Sequence, residues 1–175
     1  MTSRSTSRQA EPASPGFHLL STGRLPVRLG AIALAVAGLL FVLYPALRPF
    51  SDEASLEGAA AFAPPAWPVA QVLAMMGFSL LPIGLLGLSH TLRGTAHERL
   101  AYGAVLLGIG GVGLTLPFYG AEAFGLHAIG QAALRAQDPP RLGVAAAIRA
   151  GTGLYLFLIG LPLVAAAAIV VGSLA

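Results

Sequence analysis

The chain contains no cysteine and no lysine. Without cysteine there are no disulfides, no thiolate metal sites, no cysteine-ligated iron–sulfur clusters and no cysteine nucleophile. All ten basic residues are therefore arginine, a composition that suggests a GC-rich coding genome. Charge is scarce as well. Only 10% of residues are charged, where a soluble domain carries roughly 25%. No arginine stripe interleaved with aromatics is present, so nucleic acid is not an expected partner. What fills the sequence instead is apolar: 56% of its 175 residues are hydrophobic, and the mean hydropathy is +0.79. A soluble chain of this length cannot hide that much apolar surface in one core, because much of its own surface must face water. A lipid surround removes the limit.

Residues 1–23 have the composition of a disordered cytoplasmic tail, rich in Ser, Thr, Pro and Arg and without apolar periodicity. The long polar stretch and the length of the following apolar run argue against a cleaved signal peptide. Residues 24–175 form a four-helix transmembrane domain, with spans at about Leu29–Leu47, Trp67–Ser89, Leu100–Ala121 and Thr152–Leu174. Each is near the roughly 20 residues that cross a hydrocarbon core of about 30 Å. None contains Lys, Arg or Asp. Backbone amides in such segments must be satisfied internally, so helix is the expected state.

The first link, Arg48 to Ala66, carries Asp52, Glu53 and Glu57 and a Pro64-Pro65 pair. The second, His90 to Arg99, is short and basic. The third, Glu122 to Gly151, is long and semi-apolar, with Arg135, Arg141 and Arg149 and a Pro139-Pro140 break. Placing the N-terminus inside puts Arg4, Arg8, Arg24, Arg28, Arg93 and Arg99 in the cytoplasm and Arg48, Arg135, Arg141 and Arg149 outside. Tyr44, Trp67, Tyr119 and Tyr155 fall near outer span ends as interfacial anchors, and Tyr102 near an inner one. The last residues, Val170 to Ala175, stop at the membrane boundary. Two readings stay open there: a chain that ends flush with the bilayer, or one that continues into further helices.

Several patterns have a chemical and a packing interpretation. Gly108, Gly110 and Gly113 match a dinucleotide fingerprint, but that motif works only between a strand and a helix start. Inside an apolar span it reads as close helix packing, with Ala104 and Gly108 as a small pair. Gly77, Gly84 and Gly87, and Ala31, Ala35 and Gly38, read the same way. Pro82 and Pro117 should kink or loosen their helices. Ser79 and Thr115 should bond back to their own helix carbonyls. A bis-histidine haem needs ligands facing each other across a bundle interior. His90 and His127 fall on opposite sides of the membrane, about 30 Å apart. His97 sits in a polar loop. No cofactor or metal site is therefore expected, and no catalytic set assembles on one side.

The most individual stretch runs from Leu116 to His127. Read as a helix from about Gly120 to Arg135, it is amphipathic and lies on the outer face, between the third and fourth spans. His127, Gln131 and Arg135 then share one polar stripe. Glu122, five residues before His127, lies about 140° away at roughly 100° per residue. It falls on the apolar side with Leu126 and Ile129. A carboxylate there costs several kcal/mol unless paired or protonated, and intramembrane acids are candidates for function. Its expected partners are the Tyr119 hydroxyl or the Arg149 guanidinium. The candidate ligand-binding residues are accordingly Glu122, Tyr119, Arg149 and His127. Either they bind a ligand or they anchor the helix.

The Leu116-to-Leu126 stretch, with the all-arginine composition, resembles uncharacterised multi-pass membrane proteins of high-GC actinobacteria over about the last half of the chain. The resemblance implies a bacterial plasma membrane and further helices in the family; it carries no activity. The expected fold is thus an all-α integral membrane bundle of four transmembrane helices, with a short amphipathic outer helix between the third and fourth. The expected role is a non-enzymatic accessory, scaffold or binding subunit whose partners are the lipid bilayer and another membrane protein or a second copy. The alternatives are a carrier or sensor of a small or lipophilic ligand, and a redox or haem-bearing subunit.

Overall fold

The computed structural model describes residues 24–50, 55–137 and 139–174. Every regular element among them is helical. The fold is an all-α bundle in which four helices are long and apolar enough to cross a membrane. Helix α1 spans Arg24–Leu47, α2 Leu56–Phe62, α3 Ala66–Ser89 and α4 Glu98–Gly120. A π-helical turn, Ala121–Leu126, leads into α5, His127–Ala136; α6 is Leu142–Arg149 and α7 Thr152–Leu174. The cytoplasmic-tail reading and the residues Asp52 and Glu53 lie outside the described residues.

The four long helices pack through residues with little or no side chain. Helix α1 lies against α3 and α4 against α7, with α3 and α4 joining the two pairs. A Cβ built on Gly30 would sit 2.5 Å from the Gly87 Cα. One built on Gly160 would sit 2.5 Å from the Gly111 carbonyl oxygen. Helix backbones touch at both crossings, which dispersion requires when lipid tails offer the same apolar solvent as a leucine face. The α1 face that does this is Gly30, Ala33, Ala37 and Leu40. The expected stripe of Ala31, Ala35 and Gly38 is exposed instead. A helix apolar all round has no polar face to betray its buried one. On the other helices the expectation holds for Gly77, Gly84, Gly87, Ala104 and Gly108, which are all buried, and fails for Gly110 and Gly113, which are exposed.

Hydroxyls inside the helices are satisfied locally. Ser79 Oγ donates to the Met75 carbonyl at 2.8 Å and Thr115 Oγ1 to Gly111 at 2.8 Å. The helices run unbroken through Pro82 and Pro117.

The links hold more structure than their composition suggests. Ser55 accepts the Gly58 N–H at 3.1 Å and starts α2, which the first link hid behind its acids and prolines. Helix α6 likewise arises from the apolar run Leu142–Ile148 of the third link. The amphipathic helix expected between the third and fourth spans is present as α5, and it continues α4 through the π turn without a break. From Glu98 to Ala136 the chain is one helix of 39 residues. At about 1.5 Å per residue it is roughly twice as long as the hydrocarbon is thick. Its α5 end closes with Gln137 in the left-handed conformation, φ 52°. Beyond the spans, α2, the π turn, α5 and α6 enclose a core of their own: Ala59, Phe62, Trp67, Leu126, Ala133, Leu142 and Ala145. This cap is what positions the charged residues.

Candidate functional site

The π turn places Glu122 at the junction of α3, α4 and the cap. The residue is 4% exposed. Its carboxylate is gripped by Arg149, with Nε donating to Oε1 at 2.8 Å and Nη2 to Oε2 at 3.3 Å. This two-point clasp is the geometry in which guanidinium and carboxylate bind most strongly. Gln71 Nε2 donates to the same Oε2 at 3.3 Å, and Arg48 Nη2 stands 4.0 Å from it. The side chains of Glu122 and Arg149 are 6% and 23% exposed, so water screens the pair little. Gln71 is itself 1% exposed, and its Oε1 has no donor among the described residues.

Trp67 binds the cluster from below. Its ring is fully buried, and Nε1 donates to the Glu122 main-chain carbonyl at 2.7 Å. A π turn is wider than an α turn and is commonly found where a site is built. Here its carbonyl takes a donor from another helix. The Arg48 and Arg149 guanidinium carbons lie 4.8 and 5.7 Å from the centre of the same ring, within cation–π range. Trp67, by its place near a span end, is predicted to be an interfacial anchor. It is instead the buried platform of the cluster, because its indole N–H and both cations can be satisfied there at once.

The structure brings Glu122 and Arg149 together, joins Tyr119 to them only through Tyr44, whose hydroxyl accepts from Arg48 Nη1 at 3.3 Å, and turns His127 to a different partner. Tyr119 stacks on Tyr44 and Phe78, at ring separations of 5.9 and 5.3 Å. His127 Nδ1 lies 3.0 Å from the Phe62 carbonyl and so donates to it. Its Nε2 then accepts from Gln131 Nε2 at 3.1 Å, while Gln131 Oε1 accepts from Arg135 Nη2 at 2.9 Å. The expected polar stripe is therefore a relay that pins α5 to α2. Sequence reasoning missed Arg48, Trp67 and Gln71 as members. The one available signal was spacing. Trp67 and Gln71, four apart at the start of an otherwise apolar helix, must share a face.

A cavity of about 760 Å³ opens beside the pair. Phe62, Phe118, Leu142 and Leu154 give it apolar walls, and Arg48, Glu122 and Arg149 give it a charged one. Neither Tyr119 nor His127 lines it. Among the described residues no group of three or more His, Asp or Glu could hold a metal ion. Comparison with protein-family models, with curated proteins and with solved structures finds no match for this chain.

Proposed function

We propose that this is a multi-pass protein of a bacterial plasma membrane that binds an amphipathic small molecule or lipid in the cavity beside Glu122, without transforming it. One observation carries the reading: an apolar cavity of about 760 Å³ with a single charged wall. Ligand pockets usually measure about 300–1,000 Å³ and combine apolar lining with a few convergent polar groups. A ligand's apolar body fits against Phe62, Phe118, Leu142 and Leu154, and its polar head meets Arg48, Glu122 and Arg149. Ionisable groups this deep in a membrane protein are costly to keep, which favours a role for them. The lining set is suited to holding a head group rather than transferring one, since among the described residues no carboxylate pair or base-linked nucleophile stands in it.

Orientation with the N-terminus in the cytoplasm is supported by charge. Counting Arg4 and Arg8, which precede α1 in the sequence, the end where α1 starts and α3 gives way to α4 has six arginines, with Arg24, Arg28, Arg93 and Arg99, against four at the other, Arg48, Arg135, Arg141 and Arg149.

The experiment uses Trp67, the sole tryptophan, as a reporter. Phe62 and Arg48 line the cavity and both touch the indole. Titrating a bromine-labelled fatty acid or lysophospholipid into the detergent-solubilised protein should quench its emission saturably. Ala146→Phe, which fills the cavity and leaves the ion pair alone, should weaken that binding by about tenfold or more, or roughly 1.4 kcal/mol. Quenching that rises linearly and is indifferent to Ala146→Phe would mean simple partitioning and end the proposal.

The role of a partner subunit draws support from another face. Gly103, Gly110 and Gly113 of α4 are exposed and meet nothing within 4 Å. Photo-crosslinking from Leu106 on that face should capture a fixed protein or a second copy; capture of lipid only removes this reading.

A further inference from the structure

We propose a second binding site at the opposite end of the bundle, where Arg93 and Arg99 hold the phosphate of an anionic phospholipid. This site is independent of the cavity beside Glu122.

The end of α3 is closed by its own side chains. Ser89 Oγ donates to the Leu86 carbonyl at 2.8 Å and Thr91 Oγ1 to Leu88 at 2.6 Å. His90 Nδ1, 2.7 Å from the Leu86 carbonyl, donates there too. The turn that follows is tied by Glu98, whose Oε2 accepts the Gly94 N–H at 2.9 Å. None of these bonds involves the arginines. Arg93 and Arg99 are both exposed, and neither forms an ion pair among the described residues.

Between them lies a cavity of about 540 Å³, which Ser89, His90 and Tyr102 also line. Two guanidinium groups line it against one carboxylate, whose Oε2 already accepts the Gly94 N–H. Arg24 and Arg28 begin α1 at the same end, because α1 meets α3 where Gly30 faces Gly87. The local field is therefore positive and favours an anion.

The cavity wall says which anion. Leu86 and Tyr102, 43% and 59% exposed, line it on the side that continues into the apolar faces of α3 and α4. A free phosphate has no use for that wall. A phospholipid does: its phosphate sits with the arginines at the water boundary, and its glycerol and first acyl carbons lie along Leu86 and Tyr102. Basic pockets between helix ends on the cytoplasmic side are known to take anionic head groups in this way.

The test is native mass spectrometry of the full chain, delipidated in mild detergent and offered phosphatidylglycerol, phosphatidylcholine or inorganic phosphate. Phosphatidylglycerol should be retained about thirtyfold more strongly than phosphatidylcholine, since each of the two arginines contributes about fivefold near an anionic surface. The preference should vanish in R93Q/R99Q, survive in R93K/R99K, and be untouched by R141Q at the other end of the bundle. The single variants R93Q and R99Q should each lose part of it, which keeps the test decisive if the double variant does not fold. Equal retention of the two lipids, or a preference that persists in R93Q/R99Q, overturns the site. Displacement of phosphatidylglycerol by millimolar inorganic phosphate overturns the lipid as its occupant.

Discussion

Replacing Glu122 by glutamine keeps the shape of the side chain and removes its charge, and the surrounding donors set the cost. Oε1 receives Arg149 Nε at 2.8 Å. Oε2 receives Arg149 Nη2 and Gln71 Nε2, both at 3.3 Å. A glutamine amide must put an NH2 at one of these two positions. At Oε2 it would oppose two donors; at Oε1 it opposes one, so the second arrangement is preferred. The Arg149 Nε then faces an N–H at the shortest contact of the carboxylate. Removing one partner of a buried ion pair costs about 3–5 kcal/mol. The surviving contacts through the amide oxygen should return part of that. Polar contacts inside membrane proteins also measure below their aqueous expectation, at about 0.6 kcal/mol on average. The expected loss for Glu122→Gln is therefore about 2 kcal/mol, and about 3 kcal/mol for Glu122→Ala, which strands the guanidinium altogether. The assay is reversible unfolding in mixed micelles, followed by far-ultraviolet circular dichroism and by Trp67 emission. A double-mutant cycle with Arg149→Gln should return a coupling above about 1 kcal/mol. A Glu122→Gln protein within about 0.5 kcal/mol of the parent would refute the reasoning, because the carboxylate would then be solvated rather than clasped.

Other consequences can be checked with single substitutions. Gly87→Leu drives a side chain into the Gly30 backbone, so α1 and α3 must separate; a loss of about 1–3 kcal/mol is expected in the same unfolding assay, whereas Gly38→Leu, in open space, should be silent. Trp67→Phe keeps the ring but leaves the Glu122 carbonyl without its indole donor; it should cost about 1–2 kcal/mol, and an unchanged midpoint would mean that water replaces the bond freely. Leu39 is 58% exposed on α1; Leu39→Arg should oppose insertion by about 2.5–3.5 kcal/mol, read out as the fraction of chain integrated into microsomes. With no cysteine in the sequence, Ala96→Cys and Gln137→Cys can each be labelled without background. They should react with an impermeant maleimide from opposite sides of a sealed vesicle, Ala96→Cys from the cytoplasmic side; reaction of both from one side would contradict the span count.

Much of this architecture follows from local chemistry and needs no knowledge of contacts. Four apolar runs free of Lys, Arg and Asp must be helices in lipid, because their amides have no other partner. The helices α3, α4 and α7 accordingly begin and end within two residues of the spans read from hydropathy. The polar stripe of His127, Gln131 and Arg135, and the pairing of Glu122 with Arg149, were legible for the same kind of reason. Helical spacing puts the first three on one face, and a lone acid on an apolar face must find a cation. Tertiary structure decided the rest. Which side of α1 is buried depends on where Gly87 of α3 stands, and an evenly apolar helix carries no trace of that. Trp67 could have faced lipid or protein. It turned inward because α3 meets the π turn at Glu122, a contact 55 residues away in sequence. The cavity beside Glu122 exists only once α2 and α6 have closed over the ends of α1, α4 and α7, which bring Phe62, Leu142, Tyr44, Phe118 and Leu154 to its walls. Periodicity along one chain reports the environment of each helix; only the crossing of several helices gathers Arg48, Gln71 and Arg149 around the Glu122 carboxylate.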